Sequence, residues 1–206
     1  MIDTAFLITS FVTLFVIIDP IGLTPIFLAL TQGMAPAQRR SVAVRAIVTS
    51  AFVLALFTAF GEAVLGFIGI SMPAFRIAGG VLLFLTALDM LFERRNKRRE
   101  DRSEEEEFDD PSVFPLAIPL IGGPGSIATV ILLAGQQPGF TGFATVMGVV
   151  LAVLAILLVM CLFSGVLERM LGKTGITVVT RLLGMLLAAL SVQFVLDGLR
   201  AFGFAS

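Results

Sequence analysis

Long runs of apolar residues are the feature that most constrains how this chain folds. Of its 206 residues, 57% are hydrophobic and only 14% are charged, whereas a soluble domain carries roughly a quarter charged residues. A bilayer crossing needs about 20 mostly apolar residues, and six stretches meet that requirement. The sequence therefore predicts an all-α integral membrane protein with six transmembrane helices. The predicted spans are 4–31, 43–68, 72–92, 113–135, 141–167 and 178–203.

Several functional classes are disfavoured by composition. The chain has no histidine, and its single cysteine, Cys161, lies within an apolar run. It therefore lacks the commonest general base and any Cys-type metal site. The sequence also contains no P-loop and, with a net charge of −1, no basic face for nucleic acid. We expect no enzyme activity, no metal, no cofactor and no nucleic-acid partner.

The distribution of Lys and Arg predicts an orientation. Nearly all of them fall in the loops after spans one, three and five, and positive loops face the cytoplasm. Both termini then lie outside. The loop 93–112 is a charged cytoplasmic linker, basic first and then acidic, between the units 1–92 and 113–206. We expect the spans to be surrounded by membrane lipid. Glycines in spans three and six favour close helix packing, and with it a homodimer or larger assembly.

Three motifs recur in the same order in the two units. The motifs are two prolines spaced five residues apart, the pattern L-G-x-x-G-I, and an arginine at the start of the third span of each unit. Each unit has three spans, so the second copy would lie inverted relative to the first, as in secondary transporters. The paired elements are Pro20 to Pro25 with Pro119 to Pro124, 65–70 with 171–176, and Arg76 with Arg181.

The prolines and glycines predict breaks in the first and fourth helices. Such breaks leave backbone groups unpaired, which is tolerated in a membrane only in buried or water-lined places. Helix N-termini after the breaks would hold an anion, and carbonyls before them a cation, which together suit a small zwitterion. We expect Pro25 and Pro124 in the first turns of the restarted helices. The predicted binding residues are Asp19, Pro20, Gly22, Thr24, Pro25, Gly122, Gly123, Pro124, Gly125 and Ser126.

Two acidic residues are candidates for a coupling ion. Asp19 lies deep in the first span, where a charge costs at least about 2.5–3.5 kcal/mol. It would carry a proton, bind a cation or substrate ammonium, or act as a helix N-cap, and these roles are compatible. Glu62 lies within the second span and would serve a proton path or pair with Arg76. Ser126 would offer its hydroxyl to the ligand or cap its helix.

The chain resembles the MarC family of bacterial and archaeal inner-membrane proteins over nearly its whole length. The resemblance rests on two elements, Asp19-Pro20-Ile21-Gly22-Leu23-Thr24-Pro25 and residues 119–125. It is also similar to the six-span neutral amino acid transporter group, some of whose members carry glycine, alanine and other small neutral amino acids. The resemblance implies an inner-membrane location and transport of such a zwitterion, coupled to protons or sodium.

Three functions stay open at this point. The first is a secondary transporter of small neutral amino acids. The second is a channel or exporter for another small solute, which needs no ion coupling. The third is a membrane scaffold that transports nothing, in which the breaks are packing kinks.

Overall fold

The computed structural model describes residues 4–92, 110–137 and 139–203, and within these ranges the regular structure is helical. A distorted segment, Ser112–Ile121, precedes the fifth regular helix. The helices are α1 (Thr4–Ile18), α2 (Pro20–Leu30), α3 (Pro36–Ile68), α4 (Met72–Leu91), α5 (Pro124–Gln136), α6 (Phe140–Leu162) and α7 (Ser164–Ala201).

The helices confirm the predicted all-α membrane fold. Five helical stretches in the described ranges are long and apolar enough to cross a bilayer, and α1 with α2 counts as one of them. The Ser112–Ile121 segment and α5, bent by 55°, give a sixth if they form one span. Large apolar side chains such as Phe52, Phe60 and Leu186 are exposed at the surface, as contact with lipid requires.

Two predicted span boundaries are wrong. Helix α6, which forms the fifth predicted span, ends at Leu162 rather than residue 167, and the chain becomes helical again at Ser164. Residues 171–176 contain the point at which α7 divides into two helical parts, because Gly172 has a non-helical backbone (φ 62°, ψ 172°), and the sixth candidate span, Thr174–Ala201, begins just after it. A glycine adopts this conformation without strain, which explains why the interruption lies at this residue. The second span also begins early, at Pro36, which suits a first helical turn.

The elements α1 and α5 form the centre of the bundle. One buried apolar cluster joins α1 and α5 to α2, α3 and α6, and includes Leu14, Ile18 and Leu133. A second cluster joins them to α4 and α7, and includes Ile17 and Leu132. Every residue from 128 to 133 in α5 is buried. The two interrupted stretches of the chain therefore lie between two packed halves.

Helices α4 and α7 pack closely and run in opposite directions. A Cβ added at Gly80 would lie 2.8 Å from the Ser191 carbonyl oxygen, and one at Gly184 would lie 3.0 Å from the Cβ of Met90. Contacts move towards the start of α4 as they move towards the end of α7, which makes the pair antiparallel. Glycine at these positions lets the two backbones approach, as is common between transmembrane helices.

The predicted linker 93–112 is described only from Asp110 onward, and residues 93–109 lie outside the described ranges. At its end, Arg45 Nη1 of α3 forms an ion pair with Asp110 Oδ2 at 2.6 Å. Hydrogen bonding from Ser112 and the charge of Arg45 hold the pKa of Asp110 below its usual range. This pair attaches the start of the second unit to a helix of the first.

Candidate functional site

Asp19 interrupts the first predicted span. It has a left-handed backbone (φ 55°, ψ 65°), which Asp tolerates better than most residues, and separates α1 from α2. Its Oδ1 accepts a hydrogen bond from the Gly22 amide at 3.1 Å, so it is the N-cap of α2. The side chain is completely buried. Asp19 therefore has the N-cap role predicted for it, with its carboxylate enclosed by protein.

At the first break, the backbone departs from helical geometry over only a few residues. The Asp19 amide still donates to the Phe15 carbonyl at 2.9 Å, and the Leu23 amide donates to the Asp19 carbonyl at 2.9 Å. Pro20 and Pro25 lack an N–H, so the carbonyls four residues before them, at Val16 and Ile21, lose their regular helical donor. The break thus combines a buried carboxylate with carbonyl oxygens that have spare acceptor capacity.

The structure corrects the expected position of Pro25. Helix α2 restarts at Pro20, which occupies the first-turn position, and Pro25 lies inside the helix. Asp19 initiates the helix earlier than the proline spacing suggested. Thr24 is buried, and its hydroxyl donates to the Pro20 carbonyl at 2.8 Å. Gly22 is required for space, because a Cβ there would lie 2.9 Å from Cγ of Asp19.

The second break lies between the Ser112–Ile121 segment and α5. Phe114 and Ile118 have extended backbones within that segment, as residues before proline prefer. The chain then turns through 55° at Gly122 and Gly123. The Gly122 amide donates to the Ala117 carbonyl at 2.8 Å, and a Cβ at Gly123 would collide with the Pro119 carbonyl.

No side chain caps the N-terminus of α5. Its N-cap is Gly123, and Pro124 occupies the first-turn position predicted for it. Ser126 is not the cap, because its hydroxyl donates back to the Ile121 carbonyl at 2.7 Å and so stabilises the bend. The Gly125 and Ser126 amides belong to the first turn, where a helix offers them no internal acceptor. This end of α5 has the features of an anion-binding helix terminus.

The fold brings the two breaks together. A Cβ at Gly125 would lie 3.4 Å from Cγ2 of Ile17, two residues before Asp19. It would also lie 3.9 Å from the Thr86 hydroxyl oxygen of α4. Pro124 is exposed and Gly125 partly so, whereas Asp19 is enclosed. The two motifs, about 100 residues apart in sequence, are therefore neighbours in the centre of the bundle.

Glu62 is not part of this buried arrangement. It is exposed on α3, one residue after Gly61, which packs against Ile131. It forms no ion pair with Arg76 in the described ranges, so the predicted pairing is wrong. Arg76, near the start of α4, is only partly exposed, and its Nε is buried without a hydrogen-bond partner in the described ranges.

Sequence reasoning missed Ser10 and Thr13 on α1. Both side chains are fully buried, and neither hydroxyl makes a hydrogen bond within the described residues. A buried polar group without a partner costs about 1–3 kcal/mol. The available signal was the spacing of Ser10 and Thr13, which lie three residues apart on the side of α1 that also bears Ile17.

Comparison with known proteins identifies the family. The sequence pattern described as MarC family integral membrane protein matches residues 4–202. The chain belongs to the MarC family. It is 37% identical to the UPF0056 membrane protein YvbG of Bacillus subtilis, with 95% of each chain covered. It is 34% identical to the UPF0056 inner membrane protein YhgN of Escherichia coli K12, covering 94% of this chain and 96% of the relative.

The similarity to MarC proteins extends to archaea. A UPF0056 membrane protein of Archaeoglobus fulgidus is 36% identical over 95% of this chain and 92% of its own. No solved structure matches the chain. The family membership establishes a membrane protein of a type found in bacteria and archaea.

Proposed function

We propose that this protein is a secondary transporter of small neutral amino acids such as glycine and alanine, coupled to a proton or sodium gradient. The observation that carries the proposal is the approach of the two helix breaks, with Ile17 against Gly125 and the buried Asp19 beside them. Discontinuous helices that meet inside a membrane protein are a common way to build a substrate site.

The two breaks offer complementary chemistry to a zwitterion. The first-turn amides of Gly125 and Ser126 would hold the substrate carboxylate, assisted by the positive end of the α5 dipole. Asp19 and the carbonyls of Val16 and Ile21 would hold the ammonium group or the coupling ion. Gly22 and Gly125 carry no side chain, which would let a small substrate approach the backbone at both breaks. Ser126 would act indirectly, through its hydrogen bond to Ile121.

We also propose that the two units are inverted repeats, which would give the protein two related states open to opposite sides. The antiparallel packing of α4 and α7 supports this. Gly80 of α4 meets Ser191 of α7, and Gly184 of α7 meets Met90 and Ala87 of α4, so each helix contributes a glycine to its partner.

The proposed location is the inner membrane, with both termini outside and the 93–112 loop in the cytoplasm. The support is the distribution of Lys and Arg in the sequence, together with the name of the Escherichia coli relative. Membrane lipid would surround the exposed apolar faces, and a homodimer or larger assembly would form through such a face.

The test is uptake into proteoliposomes containing the purified full chain. Labelled glycine, alanine and serine are supplied with and without imposed proton and sodium gradients, beside Asp19→Asn. Asparagine is the matched substitution, because it tolerates the left-handed backbone and caps helices well while removing the charge. We expect accumulation that follows one gradient in the native protein and is abolished in Asp19→Asn.

Other results of the uptake experiment would favour the alternative functions. Accumulation that survives in Asp19→Asn would retain the transporter and reduce Asp19 to a helix cap. Flux that equilibrates without accumulation would indicate a channel or uniporter. Absence of flux for all three amino acids under every gradient, in correctly folded protein, would reject the proposed substrate class.

A further inference from the structure

The first part of α7 is a short helix that lies between two candidate spans. Residues 164–171 are helical, and Gly172 then interrupts α7 with a non-helical backbone. The span before this linking helix is α6, which ends at Leu162, and the next candidate span is Thr174–Ala201. The linking helix therefore joins the end of one crossing to the start of the next.

The lengths of these elements place both ends of the linking helix at one boundary of the bilayer. Helix α6 has 23 residues and is about 34 Å long, which suffices to cross a hydrocarbon core of about 30 Å. Leu162 therefore lies at the boundary, and Thr174 lies there too because the next span begins at that residue. The linking helix, about 12 Å long, joins two points on the same boundary and so runs along it.

One side of the linking helix exposes large apolar side chains. Val166 is 56% exposed and Met170 is 80% exposed, and residues four apart share a helix face. Ser164, two residues before Val166 and thus on the far side of the helix, is buried against protein. The linking helix therefore has one side against the bundle and an apolar side directed away from it.

This apolar side continues a surface of α6. Val159 and Phe163 are exposed and precede Val166 and Met170 at helical spacing. Hydrogen bonds continue across the junction, since the Phe163 amide donates to the Val159 carbonyl at 3.0 Å and the Val166 amide to the Phe163 carbonyl at 2.9 Å. Val159 belongs to a candidate membrane span, where lipid covers exposed apolar side chains. Lipid is therefore the neighbour that the continuous surface predicts for Val166 and Met170.

The charged residues of this stretch argue against a position inside the hydrocarbon core. Residues 140–167 contain no charged residue, whereas Glu168, Arg169 and Lys173 follow directly. Charged side chains are costly in hydrocarbon but are solvated by water and lipid headgroups. Helices that combine charged residues with an apolar face lie at the boundary between headgroups and acyl chains.

We propose that residues 164–171 form an interfacial helix that binds the boundary between lipid headgroups and acyl chains, with Val166 and Met170 in contact with the acyl chains. Under the proposed orientation, this boundary belongs to the cytoplasmic leaflet. The helix fixes the place at which the last span enters the membrane. The inference is independent of which solute the protein carries.

The test uses tryptophan fluorescence of the full chain in proteoliposomes. The sequence contains no tryptophan and no tyrosine, so Met170→Trp and Val166→Trp each introduce a single fluorophore at an exposed position. Three quenchers report its depth: lipid brominated in the upper acyl chain, lipid brominated near the chain end, and aqueous iodide on both sides of the membrane. A thermal midpoint equal to that of the native chain shows that each variant is folded.

Two further variants calibrate the depth. Leu186 is exposed in the middle of Thr174–Ala201, so Leu186→Trp should respond most to chain-end bromine. Gln32 is exposed in the turn between α2 and α3, so Gln32→Trp should respond most to iodide. We expect Met170→Trp and Val166→Trp to be quenched at least about twofold more by upper-chain than by chain-end bromine, because an interfacial helix inserts its apolar face only about 5–10 Å.

Three results would overturn the interfacial helix. Quenching chiefly by iodide, as for Gln32→Trp, would place the apolar face in water. Strongest quenching by chain-end bromine, as for Leu186→Trp, would place it inside a span. Protection from both bromine and iodide would show that protein, such as a second copy of this chain, covers the face. None of these results depends on amino acid uptake, so the proposed function is tested separately.

Discussion

The two helix breaks lie side by side but are built in different ways. The first is stabilised by a side chain, because the Asp19 carboxylate caps α2 and the helical hydrogen bonds continue past it. The second is built from backbone, since glycines permit a 55° bend and no side chain caps α5. The first is fully enclosed, whereas the second is partly exposed at Pro124.

Under the proposed function, this difference gives each break a separate chemical role. The first supplies a carboxylate and carbonyl oxygens, which suit a cation. The second supplies amides at a helix N-terminus, which suit an anion. A substitution at the first break should therefore affect charge and selectivity before it affects folding. A substitution at the second should affect the backbone, and so the fold, first.

Gly123→Ala should have the largest effect on stability. The added methyl group would collide with the Pro119 carbonyl, which is backbone and yields little. We expect a loss of about 2–3 kcal/mol, read as a lower thermal midpoint in detergent. Gly66→Ala is the control, because Gly66 is helical with open space around it, and alanine should stabilise there by up to about 1 kcal/mol. Equal midpoints for the two variants would contradict the steric collision expected at Gly123.

Gly22→Ala should cost less stability and more function. Here the added methyl group meets the Asp19 carboxylate, a side chain that can rotate away. We expect a loss of about 1 kcal/mol, since the N-cap bond is broken, together with loss of gradient-driven uptake. The measurement is a thermal midpoint and an uptake assay on the same preparation. Normal uptake in this variant would show that the position of the carboxylate is unimportant.

Ser126→Ala should have an intermediate effect confined to the second break. The substitution removes the 2.7 Å hydrogen bond to the Ile121 carbonyl, which lies directly before the bend. We expect a loss of about 1 kcal/mol. Ser50→Ala serves as the comparison, because its hydroxyl bonds to a carbonyl within a continuous helix. A smaller loss for Ser126→Ala than for Ser50→Ala would argue against a role for Ser126 in stabilising the bend.

The smallest expected effect is the pH dependence of the Arg45–Asp110 pair. Hydrogen bonding from Ser112, and to a smaller extent the charge of Arg45, lowers the pKa of Asp110 in the folded protein, so these contacts stabilise the fold at neutral pH. This contribution is lost as the pH falls below about 4 and through the lowered value. Both side chains are largely exposed, which limits it to about 0.5 kcal/mol. Asp110→Asn should remove this part of the acid dependence, and an unchanged pH profile would contradict the assignment.

The sequence predicted the spans well because hydrophobic length is a direct physical signal. It also located Asp19 and the glycines of the second motif, since charge and backbone freedom are properties of single residues. The sequence-based prediction failed where packing in the folded protein determines which contacts a side chain makes. The Ser126 hydroxyl donates to the Ile121 carbonyl instead of capping α5, and Glu62 is exposed at the surface.

The expected first-turn position of Pro25 shows the same limit. Proline spacing marks a break, but the residue that starts the new helix is the one whose side chain can cap it. At this break that residue is Asp19, six positions before Pro25. The approach of Ile17 to Gly125 was likewise beyond the sequence, because it depends on how α1 and α5 pack.

The most direct test of the central claim is a cross-link between the two breaks. Ile17→Cys and Gly125→Cys are combined in the Cys161→Ala background, and disulfide formation is followed by mass spectrometry, with and without glycine. A disulfide requires Cβ atoms about 3.5–4.5 Å apart, which the contact between these positions favours. Met90→Cys with Gly184→Cys is the control pair from α4 and α7. We predict a disulfide between positions 17 and 125 that forms more slowly in the presence of glycine. Formation of the control disulfide without one between positions 17 and 125 would contradict a shared site.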